Sequence, residues 1–274
     1  MSQQSNSTIV TLTTDFGLSD PWVAELKAAI LGVAVDLTLI DISHTITAFH
    51  IPQAAYLVHT ACRRFPSGSI HVVGVDPNPT DRGLLLLLAD QIFIGPDNGV
   101  FAPLLTQDGT ESDAPRVFHL DQPQYWNHPQ PTTFRARDLF GPVAGHWARG
   151  VAAAQLGSAT TLDLRNPVDS LSEATRCLAG EVVHVDRFGN LITCIRATGL
   201  SQDTIVQIGA HSINGLSTTY DDPPGEQPLL ALAGSSGYLE ICLPRGSAAQ
   251  FTGLGQGTPV TIRSATGPAD TCEP

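Results

Sequence analysis

The sequence predicts an α/β amino-terminal domain, a largely parallel sheet flanked by helices, followed by a smaller all-β barrel domain. Three observations carry this reading. Strand-like and helix-like segments alternate through residues 8–164, the pattern of a sheet covered by helices. Helical periodicity then disappears after a connector at about residues 163–178, and residues 178–267 carry only short alternating runs. Polar residues gather where the apolar runs stop, which puts them at the edges of sheets.

The first strand is "TIVTLTTDFG", β-branched and apolar up to Thr13, polar at Thr14 and Asp15, and broken at Gly17. From Pro21 to Gly32 the spacing of Val23, Leu26, Ile30 and Leu31 is helical, with Asp20 placed to cap and Pro21 at the first helical position. "LTLIDIS" reads as the next strand, "IPQAAYLVHTACRRF" as the next helix, "SIHVVGVD" as a third strand, and "LLLLLADQIFIG" as two short strands around a turn. A proline-bearing loop is expected between Thr106 and Thr133. "DLFGPVAGHWARG" reads as a helix interrupted early by Gly141-Pro142. Beyond the connector come the strand candidates "GEVVHVDRFGNLITCI", "DTIVQIG", "HSINGL", "LLALAGSSGYLEICLP" and "TPVTIR".

Composition narrows the function. With 14 basic against 26 acidic residues the formal charge is −12 and no basic patch offsets it, so no nucleic-acid partner is expected. The five cysteines (Cys62, Cys177, Cys194, Cys242, Cys272) are odd in number and scattered, with no zinc-site spacing. They read as reduced thiols, and no metal is expected. The polar start "MSQQSNST" and the lack of a membrane-length apolar run predict a soluble cytoplasmic protein with no membrane partner. No Gly-x-Gly-x-x-Gly follows the first strand, and neither a Walker loop nor a Gly-x-Ser-x-Gly elbow is present.

The polar clusters are "TTDFG" (Asp15), "GVDPNPTDRG" (Asp76, Arg82), "GPDNG" (Asp97, Asn98), "TTFRARD", "DRFGN" (Asp186, Phe188, Asn190) and "GSSGY" (Ser235, Ser236, Tyr238). Each has an ordinary reading as a turn whose Asp or Asn bonds its own backbone. Together they suggest a site for a small molecule bearing hydroxyls and an amine.

In order and over nearly the whole chain, "TLTTDFGLSDPWVAELKAAI", "IDISHTI", "GPDNGVFAPLL", "TTFRARDLFGPVA", "VDRFGNLIT" and "GSSGYLEI" resemble the S-adenosyl-L-methionine hydroxide adenosyltransferases, relatives of the fluorinases and chlorinases. The resemblance implies an α/β domain, a β-barrel domain, and a homotrimer whose sites lie between one subunit's first domain and a neighbour's second. It implies attack of water, or in the halogenases halide, on the ribose 5′ carbon of S-adenosylmethionine as substrate, with no cofactor. It assigns Asp15 to the ribose hydroxyls, Phe49 to the adenosine, and Asp186 to the methionine ammonium with Phe188, Asn190 and Ser235 nearby; Asn98 joins the substrate-binding set.

In that family an aspartate, an arginine and a histidine order the water, within "VDPGVGxxR"-like and "TFHGRD" segments. This chain reads "VDPNPTDR" and "TFRARD". The catalytic set is therefore expected to be Asp76, Arg82 and Arg135, with Arg137 and Asp138 as a structural ion pair. Arg135 has two readings, holding the nucleophile or pairing with Asp76 and plugging the site. The leading function is hydrolysis to adenosine and methionine. The alternatives are a degenerate binding protein and a halide-using transferase.

Overall fold

The computed structural model describes residues 7–78, 82–105, 114–130, 133–162, 178–221 and 228–264. The chain divides into two compact units, Met1–Pro167 and Val168–Pro274.

The first unit contains β1 (Thr8–Thr14), α1 (Trp22–Val33), β2 (Leu37–Ser43), α2 (Ile51–Ala61), β3 (Ile70–Gly74), β4 (Gly83–Leu88), β5 (Gln91–Pro96), β6 (Arg116–His119), α3 (Gly141–Ala148), α4 (Ala153–Leu156) and β7 (Ser158–Thr160). Its sheet runs β2-β1-β3-β5-β4-β6-β7. The half β2-β1-β3-β5 is parallel, as expected. The sheet as a whole is mixed, because β4 and β5 meet through a turn of two residues, Ala89 and Asp90, and so tight a connection joins only antiparallel strands. β6 and β7 continue antiparallel to the edge.

Alternation along the strands sorts the two faces. Val10, Leu12, Ile70 and Val72 join Leu26, Ile30, Val143 and Ala144 of α1 and α3 in one core. On the opposite face Thr11 bonds His71 Nδ1 at 2.8 Å, and His71 Nε2 lies 2.8 Å from Gln91 Oε1. Burial there lowers the His71 pKa to about 4, so the ring is neutral and serves the core.

Three local readings need correction. Asp20 does not cap α1; the N-cap residue is Pro21, without a side-chain bond. Gly141-Pro142 does not break the third helix: a π turn at Ala136–Phe140 leads into α3, and the Arg137 and Asp138 carbonyls that precede Pro142 accept from Asn127 in place of its missing N–H. The span from Thr106 to Thr133 is not all loop, since it holds β6 and a short 3₁₀ turn at Pro123–Tyr125, elements too short to show periodicity.

Glycine at 145 permits α3 to approach α1: a Cβ there would sit 2.7 Å from Val33 Cβ. Gly145→Val is therefore expected to cost about 1–3 kcal/mol, seen as a lower urea midpoint at unchanged m.

Among the described residues the strands of the second unit pair antiparallel, and a lone parallel bridge joins Ser217 to Leu232. The strands are β8 (Leu178–Val185), β9 (Leu191–Arg196), β10 (Thr204–Ile208), β11 (His211–Asn214), β12 (Leu230–Ala233), β13 (Tyr238–Cys242) and β14 (Pro259–Ser264), with one short helix, α5 (Ala248–Thr252). The order β11-β10-β14-β8-β9-β13-β12 makes a nearly closed, barrel-like sheet. The connector expected at residues 163–178 lies, but for Leu178, outside the described residues. Among the described residues no helix is long and apolar enough to cross a membrane, and Cys62, Cys194 and Cys242 are free thiols; Cys177 and Cys272 lie outside them.

Candidate active site

Parallel pairing of β1 and β3 sets Thr14 opposite Gly74. Each strand turns polar just past that register, so Asp15 and Asp76 emerge at the same carboxyl edge. Between them opens a cleft of about 370 Å³, whose lining includes Asp15, Phe16, Trp22, Phe49, Asp76 and Arg135. That volume suits a small ligand.

Asp15 Oδ2 accepts the Phe49 backbone N–H at 2.8 Å. Burial raises its carboxyl above the ordinary range, although that bond and the Asp15 N–H pull the other way. Phe49 has φ +66° and is 68% exposed. An aromatic residue held in the left-handed region with its ring in solvent does not serve the core; this favours the expected contact with a ligand over a core role. Opposite, Phe134 meets Phe16 edge-on at 5.1 Å and Trp22 at 5.6 Å, an aromatic wall. Sequence reasoning missed that wall. Its signal was a tryptophan at the first turn of the helix that follows the Asp15 strand.

Arg135 is 7% exposed; its Nη1 lies 3.0 Å from Asp76 Oδ2, and its guanidinium lies 5.2 Å from the centre of the Phe140 ring. Arginine and aspartate therefore pair, as one of the two readings required, and the pair forms part of the cleft wall without filling the space. Arg137 behaves as expected, gripping Asp138 at 2.6 and 2.7 Å and Glu25 at 2.8 Å. Those bonds raise its pKa further and tie the π turn to α1.

Arg82 does not join the cleft. Its guanidinium goes to Asp97 Oδ2 at 2.5 Å and to Thr160 Oγ1 at 2.8 Å, because β4 places it beside the end of β5 and near β7. Residues 79–81 of the preceding loop lie outside the described residues. Asn98 is also elsewhere: it donates to the Val75 carbonyl at 3.0 Å and accepts from Val100 N–H at 3.2 Å, holding the segment just before Asp76 from behind.

The second unit has its own cleft, about 610 Å³, lined among others by Asp186, Phe188, Asn190, Tyr220 and Arg245. Asp186 takes the N–H of Phe188 and Asn190 and the Asn190 amide, each at 2.9 Å, so it caps its turn while facing the cleft. Phe188 is 76% exposed. Ser235 is exposed in the turn between β12 and β13, outside that lining. Sequence reasoning also missed Tyr220, whose hydroxyl donates to buried Glu240 at 2.8 Å. Burial, seconded by the Asp186 charge, raises the Glu240 carboxyl despite that bond. Among the described residues no group of three or more His, Cys, Asp or Glu could hold a metal ion.

The profile of the SAM hydroxide adenosyltransferase N-terminal domain matches residues 10–157, and that of its C-terminal domain matches residues 180–261. The chain is 32% identical over 262 residues to the (R)-S-adenosyl-L-methionine hydrolase of Thermus thermophilus, covering 91% of this chain and 97% of that one. Against the fluorinase of Nocardia brasiliensis the identity falls to 24%, over 93% and 96%. A crystal structure of an uncharacterized conserved protein from Thermotoga maritima superposes with a TM-score of 0.78 at 26% identity, covering 93% of this chain and all of that one.

Proposed function

Since this chain belongs to the SAM hydroxide adenosyltransferase family, we propose that it hydrolyses S-adenosyl-L-methionine to adenosine and L-methionine. The observation that carries the reading is the Asp76–Arg135 pair, at 3.0 Å, on the wall of the cleft that also holds Asp15. Water is favoured over halide because the chain is more similar to a hydrolase than to a fluorinase.

In this mechanism the oxygen of water attacks the ribose 5′ carbon opposite the C–S bond. That bond breaks, methionine leaves as a neutral thioether, and the surplus proton passes to solvent. A sulfonium needs no acid to leave, so the protein's task is alignment of a partly desolvated nucleophile. Asp76 accepts a hydrogen from the water. Arg135 holds the Asp76 carboxylate in place and sets a fixed positive charge beside the water; a guanidinium cannot remove the proton itself. Asp15 takes the ribose diol, Phe49 flanks the adenosine, and Asp186, Phe188 and Asn190 receive the amino-acid end. Arg82, Asn98 and Ser235, expected from the sequence, are given no contact in this reading.

The proposal extends to a cytoplasmic homotrimer, supported by the division of the expected ligand residues between two units, each with its own cleft. Sedimentation equilibrium reports it as three times the chain mass.

Incubation with S-adenosylmethionine in H₂¹⁸O tests the reaction: adenosine labelled at the 5′ oxygen is expected, and the same product with chloride or fluoride present. A 5′-halogenated nucleoside would point to the halide reading, and intact S-adenosylmethionine bound tightly would leave a binding protein.

The raised Asp15 carboxyl makes a pH prediction. Only the carboxylate accepts two hydroxyls, so adenosine affinity falls as pH drops through the raised pKa, and it does so above the ordinary carboxylate range. Titration calorimetry across mildly acidic pH checks it, and a flat profile removes Asp15 from the diol.

A further inference from the structure

Behind the cleft, four side chains that do not line it form one run of contacts. Lys27 Nζ on α1 lies 2.7 Å from Asp41 Oδ2 on β2, and Asp41 Oδ1 lies 3.0 Å from His44 Nε2. His44 Nδ1 then lies 2.8 Å from Thr14 Oγ1, on the last residue of β1. The run leads inward: the Lys27 and Asp41 side chains are 32% and 41% exposed, while His44 is 4% and Thr14 0% exposed.

The Asp41 carboxylate anchors the outer end of the run. Partial burial favours protonation of Asp41, but the bonds from Lys27 and His44 outweigh it and hold its pKa below the ordinary value. A carboxylate only accepts, so a hydrogen on Nε2 faces Asp41, and Nδ1 shares a hydrogen bond with the Thr14 hydroxyl in the direction the tautomer sets. Thr14 Oγ1 also accepts the Phe16 N–H, at 3.4 Å. The His44 carbonyl meanwhile accepts the Gly17 N–H at 2.7 Å. One residue thus grips the turn that carries Asp15 at both ends, through its ring and through its carbonyl.

We infer that His44 is a positioning residue: backed by Asp41 and Lys27, it locks the turn from Thr14 to Gly17 and thereby aims the Asp15 carboxylate at the ribose diol. The inference rests on the nucleoside reading of the cleft. The carbonyl bond survives any substitution at 44, so the side-chain half of the grip can be tested by itself.

The test compares binding of adenosine with that of 2′,3′-dideoxyadenosine, which lacks the diol, by calorimetry. Wild type is expected to prefer adenosine. His44→Leu and the isosteric Thr14→Val each weaken adenosine on the order of tenfold, with dideoxyadenosine changed by less than about twofold. The two substitutions together weaken adenosine no further than one alone. His44→Asn, whose amide stands near the place of Nδ1 and can accept or donate there, restores most of the loss. If His44→Leu fails to fold, Thr14→Val and Asp41→Asn carry the comparison. Equal weakening of both nucleosides, or no change in either, overturns the positioning role. Wild-type protein that binds both alike overturns the Asp15 assignment, and the inference with it; that failure appears before any variant is made.

Discussion

Arg135→Ala lowers adenosine release from S-adenosylmethionine by about 10²–10³-fold, the usual cost of losing one preorganised polar group aimed at a reacting centre. The arginine is 7% exposed, lies 3.0 Å from Asp76, and rests over the Phe140 ring. Its removal takes from a nearly buried carboxylate the cation it faces. Breaking such a pair also costs about 3–5 kcal/mol of stability, so rates are compared at a temperature where both proteins remain folded. Arg135→His retains more turnover than Arg135→Ala, because an imidazole still presents a donor toward the water. The opposite pattern, in which both variants bind S-adenosylmethionine more tightly and turn it over at least as fast, identifies Arg135 as a plug and removes it from the mechanism.

Phe140→Ala is expected to cost about 3–5 kcal/mol. Phe140 is fully buried at the end of the π turn, in the core shared by β1, β3, α1 and α3, and it lies beneath the Arg135 guanidinium. Truncation opens a cavity at that junction and removes the support of the arginine together. Chemical denaturation should show a lower midpoint with unchanged m, and turnover of the folded fraction should fall as well. Phe140→Leu, which refills most of the volume without an aromatic face, separates the effects: stability largely returns, and whatever loss of turnover persists belongs to the contact with Arg135. A midpoint within about 1 kcal/mol of wild type for Phe140→Ala contradicts the packing described here.

Some of the site was legible because its causes are local. Asp15 and Asp76 could be placed at a sheet edge from apolar runs that turn polar, and the Arg137–Asp138 pair joins neighbours in sequence. Asp186 was read both as a turn cap and as a ligand residue; its bonds to residues 188 and 190 show the first, and its place in a cleft supports the second. Arg82 resisted because Thr160 lies 78 residues further on, and because its pairing with Asp97 across the β4–β5 hairpin depends on register. The aromatic wall and the Thr14–His44–Asp41–Lys27 run stayed hidden for the same reason.

The sequence by itself determined the alternation of strands and helices, the all-β character of the second half and the presence of carboxylates at strand ends. Burial periodicity, turn chemistry and chain stiffness act over a few residues and leave their mark within each segment. Only the tertiary structure decided that β5 inserts between β3 and β4, that Asp76 faces Arg135, and that Arg82 turns to Asp97. Those outcomes depend on which strands become neighbours and in what register. Several carboxylates could equally well satisfy one guanidinium, and the packing of the whole sheet chooses among them.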